Sequence, residues 1–521
     1  MVVKVISVSS EITFNFSNGS TYTLPVSTGA NNLSNYCTSI GTDEKLCSNS
    51  NSNVVGNITG NTLSLSLVSR DKLLVPNNRN SAYFGYMNDS CKIDIYYTVH
   101  YSEQSNERVY MGRYYVSSWE SGTSNSKSEE VNILAVNLLG RTKNIPLGKM
   151  KMQKYLDVND FMKDVVDTIN SNNLALFDHI SYTSESIDLF RNSSYTWQLV
   201  FNNIDRSTFE SLLNDISKNT CSYWWIDRDN VLWSDHLLDD STSESVGTLS
   251  GSENLLNYDV KTGGIGQYNG VKVKYIDSID VESTMLLELK NPTVYVGNNV
   301  LEDQKMNSDN VQNIRMIECN NDAYAVPVVW YKDSLDISVD CTSENVDIQT
   351  IRVRGDKVNE NFGTVSKYRS NSRDSVLEVT NRILRKELIN TYVDGVLNIM
   401  SMKNNIVECS GFINPKLRLG NTVRFIGSRI GVDDYYKILG LKTTLSGGNY
   451  KCVATLQKFI GTELNPVDAI AEQTKLLKQR LSGLYVNPSD VKNISEYEAL
   501  LCENDFGDAM AALRARLAGG V

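Results

Sequence analysis

The side chains able to do chemistry in this sequence are few and scattered. Three histidines, His100, His179 and His236, share no HxxxH, HExxH or Cys/His spacing of the kind that sets ligands around a metal. Asp235 and His236 lie near Asp239 and Asp240, but the run follows Trp233 in a polar stretch and reads as a solvated turn. Asp227-Arg228-Asp229-Asn230 alternates acids like the start of a calcium loop, yet lacks the glycine and distal glutamate that complete one. Gly263-Gly264-Ile265-Gly266 is followed by neither Lys-Ser/Thr nor dinucleotide spacing and reads as a domain hinge. No GxSxG elbow is present, and 61 acidic residues offer too many carboxylate pairs to single one out for glycoside hydrolysis. The expectation is a protein that is not an enzyme and holds no metal or cofactor.

One aromatic cluster stands apart. Tyr223, Trp224, Trp225 and Trp233 flank a polar turn, and stacked indoles bind sugars. In a hairpin, however, alternate residues face inward, so core packing with one or two exposed rings is the reading, and an exposed ring there would anchor a partner protein. Trp224, Trp225 and Trp233 are therefore the candidate partner-contact residues. The nine cysteines (37, 47, 91, 221, 319, 341, 409, 452 and 502) form no CxxC and are read as free thiols of a reducing compartment; Cys37 and Cys47 share a stretch, but spacing alone predicts no bond.

Composition bounds the rest. The 521 residues have room for three or four domains, and 41% hydrophobic content supports packed cores. A net charge of -11 argues against coating a genome or a membrane surface, since phosphate binding needs a basic face. No window approaches the roughly 18 uninterrupted apolar residues of a membrane span, and no leader pattern opens the chain.

The elements that must position any site change along the chain. Period-two alternation at Leu63, Leu65 and Leu67, and at Ile93, Ile95, Tyr97 and Val99, predicts half-buried strands through residue 150. Polar clusters at 77–80, 88–90 and 121–128 supply turns, so residues 1–150 read as a first antiparallel β-barrel domain. Phe161, Met162, Val165, Val166 and Ile169 share a helical face, and Ser207 with Glu210 reads as a capping box ahead of a second helix. With the aromatic hairpin, these make 151–255 a small α+β domain. Strand signals return at 271–275, 351–354 and 421–426, with a helix expected where Val376, Val379 and Ile383 share a face and Glu378 reaches Arg382; residues 256–460 read as a second β-barrel domain. Asn465-Pro466 opens a helical extension over 461–521 that carries an apolar stripe.

Two distant stretches repeat one layout. Residues 91–97, 114–122 and 130–137 run strand, Tyr-Tyr strand, glycine turn and closing strand; residues 421–427, 435–448 and 450–457 do the same. The order of parts points to a duplicated barrel.

At these residues the sequence resembles the baseplate hub and tail-associated proteins of tailed bacteriophages. The resemblance runs through Val55-Gly56-Asn57, 63–68, Leu74-Val75-Pro76, Tyr83-Phe84-Gly85, 91–97, 111–119, 221–233 and 420–423, as a layout with short matching segments over about the first 460 residues. It implies two tail-tube-like β-barrels in one chain with an α+β domain between them, and a homotrimer whose six barrels join a sixfold tail tube to a threefold spike or central fibre. It further implies a virion component assembled in the host cytoplasm, with a tail tube or distal tail protein, a spike and a tape-measure protein as partners and DNA in transit through the lumen. An acidic inner wall is expected from the charge. The alternative is a tail-associated glycan-binding protein or cell-wall hydrolase acting through the aromatic hairpin.

Overall fold

The computed structural model describes residues 5–24, 35–46, 58–102, 104–124, 128–147, 158–172, 178–188, 208–220, 222–236, 245–251, 254–261, 270–302 except 294 and 296, 311–319, 323–330, 334–341, 349–368, 376–384, 386–401, 406–428 and 431–458. The expected helical extension over 461–521, the glycine run at 263–266, and Asp239, Asp240 and Cys47 lie outside the described residues.

Alternation produces strands as the pattern requires. The first part contains β1 (Val5–Asn15), β2 (Thr21–Leu24), β3 (Asn35–Lys45), β4 (Thr62–Ser69), β5 (Lys92–Tyr101), β6 (Glu107–Ser124) and β7 (Ser128–Val136). Leu63, Leu65 and Leu67 are buried while Ser64 faces solvent, so β4 puts one face on the core. There follow α1 (Leu138–Thr142), α2 (Val158–Asn172), α3 (Phe209–Thr220), and the hairpin β8 (Ser222–Ile226) with β9 (Leu232–His236). The α2 face is as expected, with Phe161, Met162, Val165, Val166 and Ile169 all buried. Ser207 of the expected capping box lies outside the described residues. Thr208 and Ser211 exchange backbone and hydroxyl bonds across the first turn, and Glu210 instead reaches Lys143.

The later strands are β10 (Thr248–Ser250), β11 (Leu255–Lys261), β12 (Gly270–Lys290), β13 (Gly297–Glu302), β14 (Val311–Cys319), β15 (Ala323–Trp330), β16 (Ser334–Cys341), β17 (Thr350–Tyr368) and β18 (Val376–Asn381); after α4 (Lys386–Ser401) come β19 (Ile406–Gly411), β20 (Thr422–Gly427), β21 (Val432–Ser446) and β22 (Asn449–Lys458). The helix expected around 376–383 is a strand, β18, parallel to β12. Its β-branched Val376, Val379 and Thr380 favour the pleated surface, and Glu378 pairs with Lys272 across the sheet rather than with Arg382. The helix starts later, at α4.

The two expected barrels are not closed and not separate. One thirteen-stranded sheet runs β11-β19-β22-β21-β3-β4-β7-β6-β5-β1-β2, with β20 and β10 branching from β21, and β11 and β2 are its unclosed ends among the described residues. A single apolar core from Val8 to Leu456 lies against it. A seven-stranded sheet, β13-β16-β15-β14-β17-β12-β18, is inserted between β11 and β19. Its base, at Val271, Val273 and Tyr275, joins α4 and the α+β elements in a second core.

The internal repeat is present in the topology. In chain order β3, β4, β5, β6 and β7 correspond to β11, β19, β20, β21 and β22, and the lateral orders β3-β4-β7-β6-β5 and β11-β19-β22-β21-β20 agree. Two irregularities also recur. β3 shifts register between Cys37 and Ser39 against β4, and β11 does so between Leu255 and Asn257 against β19. β6 shifts between Val116 and Ser118 against β7, and β21 between Ile438 and Gly440 against β22. Bulges at matching places are the mark of a duplicated unit, since chance meanders share strand order but not their defects. They set Tyr115 in the place of Lys437, one residue from the match of the two Tyr-Tyr pairs. The outermost strands differ, β1 being antiparallel to β5 and β10 parallel to β20.

Candidate functional site

The feature that organises the molecule is the seam where the two units meet. The carboxyl half of β21 pairs antiparallel with β3, from Gly440 opposite Lys45 to Ser446 opposite Ser39. Thr42 and Thr443 stand opposite each other on the core side, buried, with hydroxyls 2.6 Å apart, and the Tyr97 hydroxyl lies 3.3 Å from Thr443. On the open side Lys442 stands opposite Asp43, a favourable cross-strand pair. The backbone of Leu46 donates to the Leu439 carbonyl at 2.8 Å and closes the end of the seam.

The α+β hairpin wedges into this seam. Its turn carries Arg228, fully enclosed, with Nε donating to Glu44 Oε1 of β3 at 3.0 Å. Nη1 donates to the Pro415 carbonyl at 2.7 Å and Nη2 to the Leu417 carbonyl at 3.2 Å, so one guanidinium holds both units. Burial pushes the Glu44 carboxyl up from its ordinary value, against the pull of the Arg228 charge. Gly112 packs beside Arg228 at φ +110°, a backbone conformation that favours glycine, and a Cβ there would be in ordinary contact with Arg228. From the other strand, buried Asp235 accepts from buried Lys437 of β21, and the Tyr223 hydroxyl donates to Gln457 Oε1 at 2.9 Å. A third clamp ties β5 and β6 to the same region: Asp178 accepts from Lys92 Nζ, Arg113 Nη1 and the Tyr115 hydroxyl. Those three donors overcome partial burial and hold its carboxyl down at about 2.

The candidate partner-contact residues separate by burial. Trp224 is completely enclosed in the α+β core, and Trp225 is 5% exposed with its ring against Gly420; only Trp233 reaches solvent in part. Trp224 is thereby corrected to a packing residue, because a strand with cores on both sides buries both of its faces. Trp225, Asp227, Trp233, Arg418 and Gly420 line a cavity of about 170 Å³. Its polar groups are engaged within the chain, since Asp227 accepts from Trp233 Nε1 and from the amides of Asp229 and Val231, and Arg418 pairs with Asp229. Asp227 is therefore spent on the turn, whose Asn230 takes a left-handed φ of 63°. Enclosed or bonded rings remove the basis for stacking a glycan on Trp224 or Trp225.

Histidine chemistry does not assemble either. His100 bonds to Ser9 across β1 and β5, and His236 ends β9. Among the described residues no group of three His, Cys, Asp or Glu side chains is placed to hold a metal ion. Cys37, Cys91, Cys409 and Cys452 are free thiols, and burial pushes Cys37, Cys91 and Cys452 up to about 12, which keeps them protonated and unreactive. Among the described residues no helix is long and apolar enough to cross a membrane.

No protein-family model and no curated protein matches the chain. Its structural neighbours include tail proteins and PdpA-VgrG complexes from Francisella. A tail protein from Neisseria meningitidis MC58 is 10% identical, with 87% of this chain and 97% of that one covered and a TM-score of 0.46. Prophage tail protein gp18 from Listeria monocytogenes EGD-e is 9% identical, with 90% and 100% covered and a TM-score of 0.44. The 43 kDa tail protein of prophage MuSo2 from Shewanella oneidensis is 10% identical, with 86% and 98% covered and a TM-score of 0.42. All three scores lie below 0.5, and the functional reading rests on the chain's own geometry.

Proposed function

We propose that this chain is a structural, non-enzymatic hub of a phage tail tip or baseplate, in which three copies build a ring that joins a sixfold tail tube to a threefold spike or central fibre. The observation that carries this reading is the seam itself: one chain holds two equivalent units joined edge to edge, so that it supplies two consecutive sectors of a larger closed sheet. Three such chains give six sectors with true threefold symmetry, the adaptor that a tube and a spike of unequal symmetry require.

The open face of the sheet would then line the DNA channel. It carries Ser64, Ser66, Asn132 and Thr444 with Asp43, Glu120, Glu408, Lys45, Lys442 and Lys451 interspersed. Glu130 and Asp259 are exposed on the same face, so carboxylates outnumber lysines along this hydroxyl-rich wall. Without a run of cations there is no counterion release to trap phosphates, and DNA passes without being held.

The tail tube or distal tail protein, the spike and the tape-measure protein are the partners of this reading. Light scattering on the purified chain tests it. Three copies of 58.3 kDa scatter as about 175 kDa, whereas a stable 58.3 kDa particle at all concentrations rejects the hub.

A further inference from the structure

The α+β elements grip the two units at the same place on each. The matched bulges put Val116 in the place of Ile438 and Ser118 in that of Gly440, so Tyr115 corresponds to Lys437; Val136 and Asn137, at the end of β7, correspond to Gln457 and Lys458 at the end of β22. In the first unit the Tyr115 hydroxyl donates to Asp178 at 2.7 Å and Asn137 Nδ2 to the Ile226 carbonyl at 3.3 Å. In the second, Lys437 donates to Asp235, and Gln457 Oε1 accepts from the Tyr223 hydroxyl at 2.9 Å. Tyr115, Asn137, Lys437 and Gln457 are all buried. The groups facing them belong to one body. Tyr223 and Ile226 lie on β8 and Asp235 on β9. The segment that carries Asp178 is laced to this hairpin, the Ser181 amide donating to the Asn230 carbonyl at 2.9 Å and the Ser181 carbonyl accepting from the Leu232 amide at 2.8 Å. A single body lodged against both copies of one corner holds a relation between the units that neither unit holds alone.

The seam leaves that relation open. Its seven residue pairs fix spacing and register, but the rotation between neighbouring strands ranges over about 10–35° from one sheet to another. In a ring of three chains each unit turns by about 60°, and in a ring of four by about 45°. The difference of about 15° lies within the latitude of one strand pair, so the ladder by itself does not decide how many copies close the ring. Resting on the hub reading above, we propose that the α+β body is a brace that sets the angle between the two units, with Asp178 and Asp235 as its positioning residues, one on each unit. Asp178 also holds Lys92 and Arg113, which spreads the first grip over β5 and β6. A braced chain is a rigid pair of sectors of fixed curvature, and that curvature selects three copies.

Distances within one chain test the brace. Ser17, in the turn between β1 and β2, and Ser428, after β20, are exposed on different units. Azide-bearing residues introduced at both positions carry nitroxides, and labelled chains are diluted in parent chain so that pulsed dipolar spectroscopy reads only the pair within a chain. The parent is expected to give one narrow distance distribution. Asp178→Ala releases the first grip while Arg113 keeps Asp94 as its partner, so the sheet is retained. The distribution is then expected to widen by about twofold. Light scattering is expected to change from one species of about 175 kDa to a mixture reaching about 233 kDa, the mass of four copies. Tyr223→Phe, which loses one hydroxyl and keeps its ring, is expected to widen the distribution by less, and keeps the test open if D178A folds poorly. Distances and masses in both variants equal to those of the parent overturn the brace and leave the hub standing. A parent of 58.3 kDa throughout overturns the hub; a wider distribution in D178A than in that parent still upholds the brace, and an unchanged one overturns it.

Discussion

Replacing Arg228 by methionine keeps much of its volume but deletes the charge that holds the two units and the hairpin together. Glu44, with 3% of its side chain exposed, is left as a buried carboxylate without a counter-ion, and the Pro415 and Leu417 carbonyls lose their donors. Breaking a buried pair on one side costs about 3–5 kcal/mol. At about 2–4 °C per kcal/mol for a unit of this size, the apparent midpoint of thermal unfolding should fall by about 6–20 °C, read by near-ultraviolet circular dichroism on the full chain. Hydrogen exchange should show the loss at the β3–β21 amides first, because Glu44 lies on β3. The double variant R228M/E44L, which removes both charges, should recover most of the loss, so that the two substitutions are strongly non-additive. The pH dependence has a definite sign. With Arg228 gone, burial alone raises the folded-state value of Glu44 above its unfolded value, so R228M should regain stability relative to the parent as the pH falls from 7 through that raised value. A loss below about 1 kcal/mol, or a double variant no better than the single one, would refute the strut.

Further outcomes follow from single contacts. Asp178 is held down at about 2, below its unfolded value of 3.8, so its contribution of about 2 kcal/mol is complete above 3.8 and lost as the pH falls through 2; D178N should flatten that acid limb of the stability profile. Gly420 sits at φ +78° with Trp225 Cζ2 2.7 Å from where a Cβ would lie, so G420A should cost about 1–3 kcal/mol or more in a denaturant titration, and an unchanged midpoint would show that the ring is not seated there. Trp225→Ala should cost about 3–5 kcal/mol by the same assay and Trp233→Ala clearly less. Equal costs would contradict the division between an enclosed and a partly exposed ring.

Much of the local structure is legible in the residues. The α2 stripe from Phe161 to Ile169, the alternation in β4 and β5 and the Asp227–Asn230 turn each carry a period or a turn chemistry that one segment fixes for itself. The repeat is legible too, because the order of strand, Tyr-Tyr strand, glycine turn and closing strand recurs, although the bulges set its register one residue from the Tyr-Tyr match. The joining of the two units into one sheet is not, since a strand's pattern tells which face is buried and says nothing of which strand lies at its edge. Residues 376–381 fit both a helical face and a strand, and only the partner β12 decides between them. Arg228 in a polar turn looks like any solvated cation; its counter-ion Glu44 is distant in sequence, and no local spacing connects them. Trp224 and Trp225 are adjacent, so alternation puts one ring inward and one outward, whereas two cores enclose both.

The central claim is that two equivalent units in one chain form consecutive sectors of a ring. Electron microscopy of the assembled protein in end-on view tests it most directly. The account predicts a ring with a central pore, six similar sectors and true threefold symmetry. End-on particles with twofold symmetry, or single chains with no pore, would contradict it.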